Sequence, residues 1–331
     1  LLLLFLLAFL AVPIASAEES VVTLTTTLDE GASIKLYTWA DSMDDAFTID
    51  WGDGVEKIYN KVKPSWTYGS EITGKLGASK TITIKGDITY LEIREMQISA
   101  ATFANTKLKE VDMEKNQLTD FNLSGLPEVT KLSLNGNSIV TFSSTGNSVL
   151  KNLGLKSNKI DSHQFEISSL ANSLEQLNVS ENGENFVALN LINFDKLQYF
   201  TANDNPELTT VVFYDGSTNL KQISMNNCHI MHFYAISLPN LSSLNLSNNA
   251  LLDFENGTYP KLSTLSVNGN YLSEIDVTKF PKLFSFDCSS NQLTDINVAN
   301  NPELNYFNCG NNKLTLSLIH ISEPTRRRGI S

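Results

Sequence analysis

From Ile88 onward the apolar positions recur in one fixed order, L-x-x-L-x-L, then a polar turn and one more apolar residue. Good copies start at Leu108, Val129, Leu150, Leu174, Leu197, Leu220, Leu241, Leu262, Leu283 and Leu304, spaced by 21, 21, 24, 23, 23, 21, 21, 21 and 21 residues. A weaker opening copy, ITYLEIREMQI, begins at Ile88 and carries Met96 where the others carry Asn. Within each copy the alternation predicts a short strand whose Leu-type residues point inward while those between them point out. One copy cannot bury its own apolar side, so the copies must stack. Ahead of them, residues 18–87 alternate without that period. The stretches SIKLYTW (Ile34, Leu36), AFTIDW (Phe47, Ile49, Trp51) and KTITIKG (Ile82, Ile84) predict strands of a small β-rich unit.

The form L-x-x-L-x-L-x-x-N-x-L at a period of roughly 20–29 residues is the leucine-rich repeat signature. The expected fold is a solenoid with a curved parallel β-sheet, a short irregular convex side and little helix. It is preceded by a small β-sandwich-like cap that covers the first repeat's apolar edge. The turn asparagines Asn116, Asn137, Asn158, Asn182, Asn205, Asn249, Asn270, Asn291 and Asn312 are polar at a buried position, so their amides are expected to bond backbone groups of neighbouring turns. Cys228 takes that place in its own repeat. Cys288 and Cys309 lie 21 residues apart at an inward position. In-register neighbours on parallel strands rarely offer the torsion a relaxed disulfide needs, so free core thiols are preferred over a bridge. Cys228, His229 and His232 form the one cluster with metal-ligand chemistry, and the reading prefers an ordinary solenoid turn.

The 21-residue period, the strand cysteine in LFSFDCSSNQL and LNYFNCGNNKL, and linkers such as TDINVANNPEL resemble secreted bacterial leucine-rich repeat proteins of the internalin kind, over 88–315. The resemblance implies a curved, nonenzymatic binding surface exposed on or released from a bacterium and used for adhesion. In the N-terminal unit, TIDWGDGVEKIY resembles the W-G-D-G hairpin of PKD-like β-sandwich domains and of the N-terminal regions of such repeat proteins. Asp53-Gly54 is read as a primed hairpin turn, with positive φ at both centres. A calcium role for Asp50 and Asp53 is set aside for want of further oxygen ligands.

The ends of the chain have a different character. LLLLFLLAFLAVPIASA, residues 1–17, has the apolar region and A-x-A site of a secretory signal peptide, so the mature protein is expected outside the cytosol, secreted or on the cell surface. No Met precedes Leu1, so the gene is expected to begin upstream. After Leu314 the repeat logic fails, and LSLIHISEPTR resembles the translation of a transposase-based sequencing-library adapter. Residues 316–331 are therefore read as not biological, and further repeats or domains are expected beyond the junction.

Composition narrows the partners. A formal charge of -12 over 331 residues disfavours nucleic acid and anionic membrane surfaces, and no membrane insertion is expected after signal cleavage. No G-x-S-x-G elbow, H-E-x-x-H pair or glycine-rich phosphate loop occurs, so neither an enzyme nor a cofactor is expected. Function then falls to the outward strand residues, a face of eleven strands about 50 Å long at roughly 4.8 Å per strand. The candidates are Glu110, Asp112, Glu114, Lys131, Lys156, Tyr199, Asn203, Asn226, Asn268, Asp287 and Tyr306. Glu110, Asp112 and Glu114 make an acidic opening expected to stay solvated, while Tyr199 and Tyr306 are the main aromatic anchors. The reading is a binding protein for a protein or glycan ligand. A spacer for a distal domain and a fragment of an exported enzyme stand as alternatives.

Overall fold

The computed structural model describes residues 19–42, 45–60, 71–213, 218–233, 235, 237–254, 257–314 and 319–320. The signal-peptide reading of 1–17 lies outside them, as does the adapter-like tail except for 319–320. Eight strands precede or open the solenoid: β1 (Val21–Thr26), β2 (Ser33–Ala40), β3 (Phe47–Asp50), β4 (Glu56–Tyr59), β5 (Ile72–Lys75), β6 (Thr81–Lys85), β7 (Ile88–Glu92) and β8 (Ile98–Ala104). Each later repeat contributes one short strand to a long sheet. These are Glu110–Asp112, Lys131–Ser133, Asn152–Gly154, Gln176–Asn178, Tyr199–Thr201, Gln222–Ser224, Ser243–Asn245, Thr264–Ser266, Ser285–Asp287 and Tyr306–Asn308. All ten run parallel, in register from one repeat to the next. Their central residues, such as Val111, Leu132, Leu153 and Leu177, are buried, as are the leading leucines of the repeats from Leu108 to Leu283. This is a leucine-rich repeat solenoid.

The turn asparagines hold consecutive coils together. Asn158 donates to the carbonyls of Leu134 in the preceding coil and Leu155 in its own (3.0 and 3.1 Å) and accepts from the Ile139 N–H at 3.0 Å. Asn137, Asn249, Asn270, Asn291 and Asn312 repeat this three-point clamp. Asn116 accepts from both Met96 and Ile98, Asn182 accepts from Ile160, and Asn205 accepts from Asn182. At Cys228 the thiol makes weaker sulfur contacts, to Ala202 O at 3.1 Å and Asn226 O at 3.5 Å, and burial pushes its pKa up to about 11. Before every one of these turn residues stands one with positive φ, including Lys115, Ser157, Glu181, Asp204, Asn227, Asn248, Ser290 and Asn311. Gly136 and Gly269 fill that place at lower steric cost.

The back of the coil is short and only partly regular. Parallel strands pair there among Asp120–Asn122, Thr141–Ser143 and Phe165–Glu166, and between Ala188–Asn190 and Thr210–Val212. Ile319–His320 pairs with Ile296–Asn297. Two single-turn 3-10 helices, Ser162–Gln164 and Ser168–Leu170, are the only helices among the described residues. Phenylalanines fill the space behind the strands in a chain of edge and stacked contacts, for example Phe200, Phe213, Phe233 and Phe254 with centroids 5.7–6.3 Å apart. Asn147 donates to two carbonyls of the preceding return segment and accepts from Val149 and Leu150 N–H, while Asn301 donates to Val277 and Phe280 only.

At the N-terminal end the chain makes two layers. The order β4-β3-β6-β1-β8 forms a five-stranded antiparallel sheet. β2 instead pairs antiparallel with β7, and β5 pairs with β2, so the long sheet has thirteen strands. The opening coil is thus shared, with β7 in the long sheet and β8 in the other. The inward residues Val22, Leu24, Ile34, Leu36, Phe47, Ile49, Ile82 and Ile84 are buried between the layers. The expected primed turn at Asp53-Gly54 is not what closes the β3–β4 hairpin. Its partner pairs run from Phe47↔Tyr59 to Asp50↔Glu56, leaving a five-residue loop. Positive φ falls on Gly52 and Gly54, and Asp53 is not among the positive-φ residues. The Asp50 carboxylate organises the loop by accepting from Gly52 and Gly54 N–H at 2.8 and 3.0 Å. A Cβ on Gly74 would stand 2.1 Å from the buried Trp51 ring, so glycine is required where that ring lies over β5.

Replacing Asn158 by Ala removes all three clamp bonds and is expected to cost about 2–4 kcal/mol in urea unfolding. Cys228→Ala, which loses one weak donor, should cost clearly less; equal losses would contradict the clamp as the source. Ser290→Gly removes a Cβ from a left-handed residue (φ 54) and is expected to raise stability by about 0.5–1 kcal/mol in the same assay.

Candidate functional site

Because the strands are in register, their outward residues form three rows across the front of the long sheet. The first row runs Tyr90, Glu110, Lys131, Asn152, Gln176, Tyr199, Gln222, Ser243, Thr264, Ser285, Tyr306. It therefore holds four of the candidate residues, Glu110, Lys131, Tyr199 and Tyr306. Asp112 and Asp287 lie in the middle row, and Glu114, Lys156, Asn203, Asn226 and Asn268 just past the strand ends. Tyr199 and Tyr306 are 39% and 51% exposed but stand five strands apart in the sheet, so they do not form one anchor. The Lys221 ammonium lies 5.9 Å from the Tyr199 ring centre.

Much of the rest is bonded to itself. Asn203 Oδ1 accepts from Ser224 Oγ and Asn226 N–H (2.8 and 3.0 Å), Asn268 Oδ1 from Ser247 Oγ (2.6 Å), and Asp287 from the hydroxyl and N–H of Ser289. Short polar side chains bond within a coil or reach the next turn, although Asn226 Oδ1 is buried without a partner. Lys156 is exposed and pairs with Glu181 at 2.9 Å.

The acidic opening differs from expectation. Asp112 and Glu92 side chains are only 16% and 12% exposed, and both pair with Arg94, Glu92 at 3.4 Å. Burial raises the pKa of Asp112 against the pull of that guanidinium. Burial pushes Glu114 up as well, but hydrogen bonds from Ser133 and Asn135 outweigh it and leave its pKa lowered. These carboxylates are therefore not simply solvated, because parallel neighbours roof them over. Glu110 is closest to that description, with Lys131 Nζ 3.7 Å away.

The front carries more aromatic side chains than the repeat strands alone supply. β2 lies against β7 with Tyr37 opposite Glu92 and Trp39 opposite Tyr90, so two rings of the N-terminal unit join the front. Trp39 and Tyr90 stack with centroids 3.8 Å apart and planes 5° from parallel. Tyr37 donates its hydroxyl to Glu71 at 3.2 Å. The outward alternation of Tyr37 and Trp39 was visible in SIKLYTW; the pairing of that strand with the first repeat was not.

Cys288 is buried, Cys309 half-buried, and both thiols are free. Burial raises the pKa of each. His232 faces Asp253 at 3.1 Å, while Cys228 is turned into the coil. Among the described residues no three His, Cys, Asp or Glu side chains group as a metal site, and no helix is long and apolar enough to cross a membrane.

No protein-family model matches the chain, and no curated protein does. Among solved structures it is similar to the functional domain of InlJ from Listeria monocytogenes, which includes a cysteine ladder. Identity is 22% and the TM-score 0.56, over 69% of this chain and 50% of that one. This chain thus spans about half the length of that structure. It is also similar to the internalin InlF of the same organism (20% identity, TM-score 0.45, 71% of this chain and 81% of that one). A leucine-rich repeat protein of Leptospira interrogans, LIC12759, is similar at 19% identity and a TM-score of 0.46, over 65% of this chain and 63% of that one. The likeness to InlJ shows a shared leucine-rich repeat fold.

Arg94→Gln leaves Glu92 and Asp112 facing one another. The folded-state pKa of Asp112, already raised, should rise further, so ionising it costs more folding free energy at neutral pH. The variant is expected to lose about 1 kcal/mol at pH 7, the guanidinium being partly exposed. The deficit should shrink as pH falls and Asp112 takes up its proton. A deficit independent of pH would argue against the charge account.

Proposed function

We propose that this chain is an exported binding protein whose long-sheet front recognises a protein or glycan ligand outside the cell. The observation that carries the reading is the sheet itself. One side of every strand is committed to the core, while the other presents three continuous rows that no other element covers among the described residues. A broad face of polar side chains with scattered aromatic rings suits recognition of a large ligand. The apolar run of residues 1–17 supports export, and the antiparallel N-terminal sheet acts, on this reading, as a cap over the first coil. A binding role also agrees with the absence of a catalytic motif in the sequence.

A second reading, a spacer that holds another domain away from the envelope, is favoured by one observation: the Ser and Asn side chains of the central rows bond to each other. An enzyme fragment requires a domain outside this chain.

The experiment is binding of the full chain to arrays of extracellular proteins, glycans and mucins. Retained ligands are then tested on a variant combining Glu110→Gln, Tyr199→Ala and Tyr306→Ala. Roughly tenfold weaker binding with unchanged thermal stability is expected. A ligand held equally well by this variant would favour the spacer.

A further inference from the structure

We propose that the N-terminal end of the front face, where Tyr37, Trp39 and Tyr90 meet Glu92 and Glu110, is the docking surface for a basic segment of a partner protein, seating a Lys or Arg side chain against the rings. The proposal rests on the reading that the front face binds a ligand, and it names where and what.

Three observations lead there. Binding energy concentrates on aromatic side chains held rigid at an interface, and this is the one place among the described front residues where rings adjoin. Trp39 and Tyr90 are stacked at 3.8 Å and Tyr37 is fastened to Glu71, so little side-chain freedom remains to be lost on association. Elsewhere on the front, small polar side chains satisfy each other and Tyr199 already has Lys221 beside it.

The second observation is charge. A single guanidinium, Arg94, serves two poorly exposed carboxylates, Glu92 and Asp112. Glu110 has only the loose approach of Lys131 at 3.7 Å, and the Lys35–Glu71 pair beyond Tyr37 cancels itself. Negative charge is therefore left over beside the rings, in a chain whose formal charge is -12. Third, a cation over an aromatic ring gains from the ring's quadrupole as well as from a nearby carboxylate. A Lys or Arg side chain satisfies both demands at once, whereas a neutral sugar would use the rings and leave the charge unanswered.

The test uses the full chain against immobilised short peptides containing Lys and Arg, the same peptides with Gln in their place, and neutral glycans. Basic peptides are expected to bind and their Gln counterparts not to. Trp39→Ala and Glu92→Gln should each weaken binding by roughly tenfold, and added salt should weaken it further. Leu252→Gln, exposed outside the strand rows, should leave it unchanged. Tyr37→Ala and Trp39→Phe serve as milder variants should Trp39→Ala fail to fold. Failure of basic peptides to bind, or equal binding by folded Trp39 and Glu92 variants, overturns the proposal. So does a neutral glycan that competes at Trp39. A ligand that depends on Tyr199 and Tyr306 but ignores Trp39 overturns it while sparing the front-face reading. Indifference of every captured ligand to all front-face variants removes both.

Discussion

The whole structure depends on the buried amide of the turn asparagine. Stacked coils of this length leave backbone N–H and C=O groups facing one another inside the turn, out of reach of water. Each left unpaired would cost on the order of 1–3 kcal/mol. A carboxamide has two donors and a two-lone-pair acceptor in one plane. At Asn158 it spends them on two carbonyls of successive coils and one amide of the coil before. The left-handed residue ahead of each turn position accompanies that geometry. Steric cost at Lys115 or Glu181 is tolerated because the satisfied clamp behind it outweighs it.

From that regularity the front face follows. Rows of side chains exist because the clamps keep successive strands in register, and their chemistry is set by what can touch at one strand spacing. Ser beside Asn closes a hydrogen bond, as with Ser224 and Asn203. Arg beside Asp closes an ion pair, as with Arg94 and Asp112. β2 continues the same logic past the repeats, in the antiparallel sense, and carries Trp39 onto Tyr90. The N-terminal unit is thereby part of the front as well as a neighbour of the first coil.

The repeat was legible because its constraints are local. Each inward Leu and each turn Asn recurs at a spacing the chain displays openly, and the residues assigned inward, Val111 and Leu132 among them, are buried. What could not be read involved partners distant in sequence. The pairing of Tyr37 with Glu92 joins residues whose strands carry no shared motif. The cover over Asp112 comes from side chains of other coils. The hairpin at Asp53 looked like a two-residue turn because Asp-Gly favours one, yet Asp50 is placed to bond two amides of a longer loop. Some phenylalanines behind the coil do recur at the repeat spacing, as Phe121 and Phe142 or Phe233 and Phe254, but the contact of Phe213 with the strand residue Phe200 joins positions of different kinds and has no period to announce it.

The single thiol in the row of amides has a mechanical meaning. Between the strands Tyr199–Thr201 and Gln222–Ser224 the strand pairing persists, but the turn is tied by weak sulfur contacts, to Ala202 O at 3.1 Å and Asn226 O at 3.5 Å, where its neighbours bond through an amide. In a structure whose coils touch only adjacent coils, tension or heat is borne in series, and the junction with the weakest ties yields first. Cys228 thus marks where the row of amide clamps divides into two runs, Asn116 to Asn205 and Asn249 to Asn312. It gives the filament a built-in point of give between its two halves.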